Sequence, residues 1–285
     1  MWDFEHGNAG EHFEIDYTIP SLCAQALAEG RADIGLIPAV TYLTIPNLVI
    51  IPDIAIAARG PVRSILLVSK VPVEEIRTIA ADNASRTSVA LCRLLLKKWM
   101  CPHPMSPAAG ATSVRQPSQP AAPEFIPMEA DLDTMLARAD AALLIGDSAL
   151  RVNHTEHAVF DLAEEWLRYT GKPFVFAFWA VRDQAATPEL ATIFKRSAEH
   201  GLEPDNLKFI CREWSPRVGI SEAEVHGYLT QNLWYSLDAA NLAGLQLFWR
   251  LAHEEQILPA PKPLLFVGRS ESEASHQPPA VIRAQ

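Results

Sequence analysis

The stretch from Thr78 to Trp99 constrains the fold most, because it reads as a short apolar strand, a polar turn and an amphipathic helix. Apolar residues recur at helical spacing between positions 89 and 99, while Arg93, Lys97 and Lys98 fall on the other face and in the last turn. A strand that runs through a turn into such a helix is the unit from which α/β sheets are built. The stretch therefore predicts an α/β fold.

The polar turn inside this unit predicts an anion site. Ser85 suits the N-cap position, and Arg86, Thr87 and Ser88 then form the first helical turn. Backbone N–H groups in a first turn have no intrahelical acceptor, and the positive end of the helix dipole adds to them. Together with the hydroxyls and the arginine they suit a carboxylate or a phosphate. The alternative is that Ser85 only caps a core helix.

Charge and composition exclude several classes of function. The formal net charge of −10 over 285 residues argues against a nucleic-acid partner, which needs clustered Lys and Arg. No apolar run has membrane-spanning length and the start is not signal-like, so we predict a cytoplasmic protein without a membrane partner. His154 and His157 lie in a polar stretch with no third ligand in view, so we expect neither a metal nor a cofactor. Oligomeric state is left open.

The order of elements predicts two lobes joined by two crossings, with a ligand cleft between them. We assign residues 1–69 to the first part of lobe 1 and residues 70–174 to lobe 2, which includes a proline-rich loop at 101–123. Residues 175–258 return to lobe 1 and are mostly helical, and residues 259–285 form a mobile tail. In hinged folds of this kind, helix N-termini and strand ends from both lobes hold the ligand.

Local signals place several element ends. The alternating segment Phe13–Tyr17 predicts a half-buried strand, and Ser21 then caps a helix that ends at Gly30. Farther along, Asp161 begins a helix in capping-box spacing, and Gly171 ends it. A very apolar strand follows at 173–181.

Three groups of polar residues at element ends form the predicted site. Ser64 follows the turn Arg59–Pro61, the polar turn begins the long helix, and Gly146 and Asp147 end a buried strand. Each also has a purely structural interpretation, since Ser64 could be a strand hydroxyl and Asp147 could cap the turn that follows it. The predicted substrate-binding residues are Ser64, Ser85, Arg86, Thr87, Ser88, Gly146 and Asp147.

Five segments, in order, resemble the chorismate dehydratases of the futalosine route to menaquinone. They are GRADIGLIPAVTYL, ARGPVRSILLVSK, DNASRTSVALCRLLL, AALLIGDSAL and DLAEEWLRYTGKPFVFAFW, within the range Ile15–Leu251. The resemblance implies the two-lobed type 2 periplasmic-binding-protein fold without secretion. It also implies a hydro-lyase that converts chorismate, a dianion, to 3-[(1-carboxyvinyl)oxy]benzoate without metal or cofactor.

The resemblance implies that the seven residues named above bind the substrate. No His or Glu in these segments presents itself as a base, so no catalytic residue is identified. The family's substrate-assisted mechanism implies that a carboxylate of chorismate removes the ring proton. We expect one carboxylate to be held by Ser85–Ser88 while the other acts as the base.

The beginning of the sequence departs from the family pattern. Family members open with a strand and a turn of the form Ser-x-x-Asn-x-x-Pro-Leu, whose asparagine lies in the binding site. This sequence begins after that pattern, at a segment resembling the helix that follows it. We therefore expect that Met1 is not the natural start or that the chain is truncated. We also expect that an upstream extension would improve expression and binding.

Three other functions stay open on sequence alone. The sister enzyme of the pathway, 1,4-dihydroxy-6-naphthoate synthase, shares the general layout but not the segments RGPVRS and SRTSV. A second alternative is a non-catalytic protein that binds an anion. A third is an inactive paralogue.

Overall fold

The computed structural model describes residues 1–82, 86–100 and 122–268. The strands are β1 (Ile34–Pro38), β2 (Leu48–Ala58), β3 (Ile65–Ser69), β4 (Thr78–Asp82), β5 (Glu124–Met128), β6 (Ala141–Ile145), β7 (Ala158–Asp161) and β8 (Phe174–Arg182). The α-helices are α1 (Trp2–Glu5), α2 (Pro20–Glu29), α3 (Arg86–Met100), α4 (Leu132–Arg138), α5 (Asp147–Leu150), α6 (Leu162–Thr170), α7 (Glu189–Gly201), α8 (Pro204–Val218), α9 (Glu222–Gly227) and α10 (Ala239–Glu254). Short 3-10 helices lie at Ala9–His12, Ala39–Leu43, Val73–Glu75 and Asp183–Ala185, and a π-helix at Tyr228–Asn232 follows α9.

The strands form two sheets in the described part of the chain, one for each lobe. The first has the order β1-β8-β2 and is antiparallel. The second has the order β5-β4-β6-β3-β7, in which β4 runs parallel to β5 and β6, while β3 runs antiparallel to β6 and β7. The chain passes between the sheets twice, from β2 to β3 and from α6 to β8. This is the two-lobed α/β arrangement that the sequence predicts, and the proposed lobe boundaries remain a prediction.

Helix α3 lies where the lobes meet and is buried over more of its surface than its spacing predicts. Leu91, Cys92, Leu94 and Leu95 are all fully buried. The helix packs against α6 on one side and against α10 and the 3-10 helix Ala39–Leu43 on another. Burial of one such leucine contributes roughly 1.5–3 kcal/mol. The start of α3 is therefore held firmly between the two lobes.

The glycine stops and the acidic cap predicted from the sequence are confirmed. Gly30 and Gly171 follow α2 and α6 in the left-handed conformation, where the absence of a Cβ removes the steric cost. The Asp161 side chain accepts from the N–H groups of Ala163 and Glu164 at the start of α6. None of the helices in the described ranges is long and apolar enough to cross a bilayer.

Two predictions for the first thirty residues are wrong. Phe13–Tyr17 joins neither sheet, and its burial alternates only as far as Asp16, since Tyr17 is exposed. Alternation in sequence alone does not supply a strand edge to pair with. Ser21 is not an N-cap, since α2 already begins at Pro20 and Ile19 occupies the cap position. Proline suits the first helical turn, where its missing N–H costs nothing.

The predicted tail is also wrong over its first ten residues. Ile50 donates its N–H to the carbonyl of Leu265, and Val267 donates to the carbonyl of Ile50, so this segment pairs in parallel with β2. Leu264 and Val267 are buried. Burial of the apolar run PLLFV against β2 stabilises this segment, although the prolines around it predict a mobile tail. Residues 269–285, and residues 101–121 of the proline-rich loop, lie outside the described residues.

Candidate functional site

The turn that leads into β3 is held in an uncommon backbone conformation. Arg63 has φ +63°, a value that side chains with a Cβ adopt at a cost of order 1–3 kcal/mol. Its N–H donates to Asp161 Oδ2 at 2.6 Å. The same carboxylate caps α6 through its other oxygen, which accepts from Ala163 N at 3.0 Å. One acidic side chain thus fixes both the turn and the start of a helix.

The environment of Asp161 acts on its pKa in two directions. Burial raises the pKa, because the ionised form loses water. The backbone N–H groups of Arg63, Val62, Glu164 and Ala163 oppose this, since they stabilise the carboxylate. Burial is the larger of the two effects. The same N–H groups are the contacts by which Asp161 holds the turn at Arg63 and the start of α6.

Ser64 follows this turn and is brought together with Gly146. The Gly146 N–H donates to the Ser64 carbonyl at 2.8 Å, which continues the pairing of β3 with β6. Gly146 has φ +62° and ψ −138°, a conformation essentially restricted to glycine, while a Cβ there would meet no other atom. Asp147 is exposed and begins α5. The sequence prediction thus places these residues correctly at element ends.

The Ser64 side chain is buried and has a partner that the sequence analysis missed. The Tyr228 hydroxyl donates to Ser64 Oγ at 3.0 Å, across 164 positions of the chain. Burial raises the pKa of Tyr228, and the nearby charge of Asp147 raises it further. Tyr228 therefore stays protonated and can donate at neutral pH. No local sequence signal marks this residue, although the capping box of Ser221 and Glu224 marks the helix before it.

The start of α3 is buried against the first lobe. Thr87 and Ser88 are 3% and 4% exposed. The Thr87 hydroxyl donates to the carbonyl of Phe176 at 3.1 Å, and Phe176 belongs to β8. That hydroxyl hydrogen is already used, so an anion at this turn would be met by backbone N–H groups. The predicted residue Ser85 lies outside the described residues.

Arg86 lines a cavity of about 460 Å³ together with Asp82, Arg93, Phe125 and Leu258. Ser64 does not line this cavity. The Arg93 guanidinium lies 4.5 Å from the centre of the Phe125 ring. The cavity wall thus carries two guanidinium groups and one carboxylate beside apolar side chains, an excess of positive charge that favours an acid. Hydrogen bonding thus brings Ser64 and Gly146 together, while Arg86 belongs to a separate cavity wall.

A larger cavity of about 1180 Å³ lies elsewhere, between α10 and the segment Pro261–Gly268. Tyr42 and Trp249 stack at its wall, and none of the predicted site residues lines it. Because none of the predicted site residues lines this cavity, it is not part of the proposed site. Across the described ranges no cluster of His, Cys, Asp and Glu could hold a metal ion.

The sequence matches a known family over nearly all of the described chain. Residues 1–118 and 113–254 match the sequence profile of a family described as menaquinone biosynthesis. The chain belongs to this menaquinone biosynthesis family. Within curated proteins it is similar to the chorismate dehydratase of Thermus thermophilus, with 29% identity over 257 residues. That match covers 84% of this chain and 86% of the Thermus protein.

Solved structures show the same fold at low identity. A crystal structure of a protein from Archaeoglobus fulgidus has a TM-score of 0.56 and 15% identity, covering 86% of each chain. The alkanesulfonate-binding protein SsuA from Xanthomonas axonopodis pv. citri, bound to MOPS, has a TM-score of 0.54 and 14% identity, covering 86% of this chain and 83% of its own. The periplasmic aliphatic sulphonate-binding protein SsuA from Escherichia coli gives the same TM-score and identity, with 86% and 82% covered. The periplasmic-binding-protein-like fold implied by the resemblance is confirmed, as is the family.

Proposed function

We propose that this protein is a chorismate dehydratase, a hydro-lyase that converts chorismate to 3-[(1-carboxyvinyl)oxy]benzoate in menaquinone biosynthesis. The observation that carries the proposal is the similarity to the Thermus dehydratase along most of both chains. The buried hydroxyls and backbone donors at the lobe junction support it, since they suit an anionic substrate. A biosynthetic step on chorismate fits a cytoplasmic enzyme, and we include that location in the proposal.

The proposed substrate-binding residues are those predicted from the sequence. The backbone N–H groups of Arg86–Ser88 face one carboxylate of chorismate, and the Arg86 guanidinium adds a positive charge. Ser64 does not line the cavity that contains Arg86. The proposal is that it donates to a second oxygen of the substrate, beside Gly146 and Asp147. Ser85, which lies outside the described residues, belongs to the proposal on sequence grounds alone.

The reaction needs few chemical groups from the protein. The ring C–H bond breaks and its electron pair becomes part of the aromatic ring, while the C–O bond to the ring hydroxyl breaks and the hydroxyl leaves as water. A substrate carboxylate takes the ring proton and passes it to the departing hydroxyl, which completes the water molecule, and aromatisation drives the step. The protein would orient the substrate, exclude water and hold fixed donors around the leaving oxygen. No cofactor is needed for this balance.

The test is to incubate the full chain with chorismate and to separate the products by chromatography with mass detection. We expect a product lighter by one water molecule. Ser64→Ala should lower kcat/KM about tenfold or more, the effect of removing one buried hydrogen bond to a charged group. Ser69→Ala is the matched control, since Ser69 is buried at the far end of β3, the strand that follows Ser64, and among the described residues its side chain bonds only to Val71.

Two outcomes would contradict the proposal. Chorismate recovered unchanged from a stable complex would indicate a binding protein, a function that the SsuA fold also serves. No binding and no turnover by a folded chain would exclude chorismate as the substrate. Equal losses in Ser64→Ala and Ser69→Ala would remove Ser64 from the site while leaving the reaction itself in place.

A further inference from the structure

The segment that carries Tyr228 has an unusual backbone. Helix α9 ends at Gly227, and the chain continues as a π-helix from Tyr228 to Asn232. A π-helix is rare, because its wider turn packs less well, and such turns occur frequently at functional sites. Tyr228 is the first residue of this turn. The wide turn thus begins at the residue whose hydroxyl reaches Ser64.

Two further contacts tie the same segment to the turn before β3. Asn232 Nδ2 donates to the carbonyl of Pro61 at 2.9 Å, and the Glu224 carboxylate lies 3.9 Å from the Arg63 guanidinium. With the Tyr228 bond, three contacts join α9 and the π-helix to three of the four residues 61–64. The turn is therefore held from one side by Asp161 and from the other by this segment.

The partner of Ser64 decides what its hydroxyl can do. A phenol can donate to the serine oxygen, and the serine hydrogen is then available to another acceptor. In the described part of the chain, the Ser64 side chain makes one hydrogen bond, the contact with Tyr228. The hydrogen is therefore left for a ligand. A phenol that stays protonated is suited to this task, because it keeps a hydrogen to donate to the serine oxygen, whereas a tyrosinate could only accept the serine hydrogen.

A second phenol lies near the first. Burial raises the pKa of Tyr235, and the proximity of Tyr228 raises it further, because two tyrosinates would repel each other. The Tyr235 hydroxyl has no hydrogen-bond partner among the residues that the structure describes.

We propose that Tyr228 is a positioning residue for the reaction: it accepts no proton itself but fixes the Ser64 hydroxyl as a donor to an oxygen of the substrate. This inference rests on the proposed function and deepens it. Without Tyr228, the serine hydroxyl would rotate among staggered positions and donate to the substrate for only part of the time. The effect should appear in turnover more than in folding.

The experiment is a double-mutant cycle between Tyr228→Phe and Ser64→Ala, with kcat and KM measured for chorismate. Tyr228→Phe should lower kcat/KM about tenfold, the equivalent of about 1.4 kcal/mol for one lost hydrogen bond. In the Ser64→Ala background the same change should have almost no further effect, because the two residues act through one bond. The matched control is Tyr17→Phe, which removes an exposed phenol bonded to Glu5 and should leave turnover unchanged.

The thermal midpoint of each variant separates positioning from a general loss of folding. The proposal holds if Tyr228→Phe keeps the wild-type midpoint and loses turnover only when Ser64 is present. It is overturned if the two losses multiply in the double mutant, or if Tyr228→Phe retains full turnover. A wild-type chain that does not convert chorismate would overturn the proposed function, and this role of Tyr228 with it.

Discussion

The turn at residues 61–64 and the start of α3 carry the same kind of side chain and use it in opposite ways. At α3, Thr87 donates its hydroxyl hydrogen to the carbonyl of Phe176, so the hydroxyl joins the two lobes. At the turn, Ser64 accepts from Tyr228 and keeps its hydrogen for another acceptor. Both residues are buried to a similar degree. The difference shows that burial and position at an element end do not determine the role of a hydroxyl, whereas the direction of its hydrogen bond does.

The two regions also differ in how they are supported. The start of α3 belongs to a fifteen-residue helix with a fully buried apolar face. The turn has no such element of its own and depends on Asp161 and on the α9 and π-helix segment. We therefore expect the turn to be the more easily disturbed of the two.

Asp161→Asn should give the largest effect, because it changes the side chain that accepts a hydrogen bond from Arg63 and holds the turn. An amide NH₂ in place of Oδ2 would face the Arg63 N–H, donor against donor, and we expect a loss of about 2 kcal/mol in the free energy of unfolding. Chemical denaturation measures this. Asp131→Asn is the control, since Asp131 caps α4 through Thr134 N without holding a turn, and asparagine caps equally well. Equal destabilisation by both changes would show that capping alone explains Asp161.

Arg86→Gln should have the next largest effect, and it tests the anion site at α3. Loss of one charged donor to a substrate carboxylate should raise KM for chorismate about tenfold. Arg93→Gln is the matched change, because Arg93 lines the same cavity but stacks on Phe125. We expect its KM to stay within about twofold of wild type, as for a lost exposed cation–π contact. A larger rise in KM for Arg93→Gln than for Arg86→Gln would indicate that the anion binds near Arg93 and not at the start of α3.

Thr87→Val should have the smallest effect, and it should lower stability more than turnover. It removes the bond to Phe176 without changing the shape of the side chain, so we expect a loss of about 1 kcal/mol in stability. Turnover should change far less than in Ser64→Ala. Thermal unfolding and kcat/KM, measured on the same preparations, check both. A large loss of turnover at wild-type stability would mean that both hydroxyls bind the substrate.

The sequence predicts what is local and misses what is distant. Gly30, Gly171 and the Asp161 cap follow from neighbouring residues and are confirmed. The bond from Tyr228 to Ser64 spans 164 positions, and the acceptor for Thr87 is a backbone carbonyl that no side chain marks. Family resemblance points to Ser64 but carries no information on which way its hydrogen points. The roles of the predicted site residues therefore stay a prediction until the variants are measured.

The pairing of Phe266 with Ile50 has a consequence for how the protein behaves in concentrated solution. Strand β2 would otherwise present an open edge of apolar, largely β-branched residues, from Leu48 to Ile51. Open edges of this kind template pairing between separate molecules and lead to aggregation. The segment Leu264–Val267 covers that edge with backbone from the same chain. These few residues near the carboxyl end thus protect colloidal stability, and shortening the chain before them would favour aggregates over a smaller soluble enzyme.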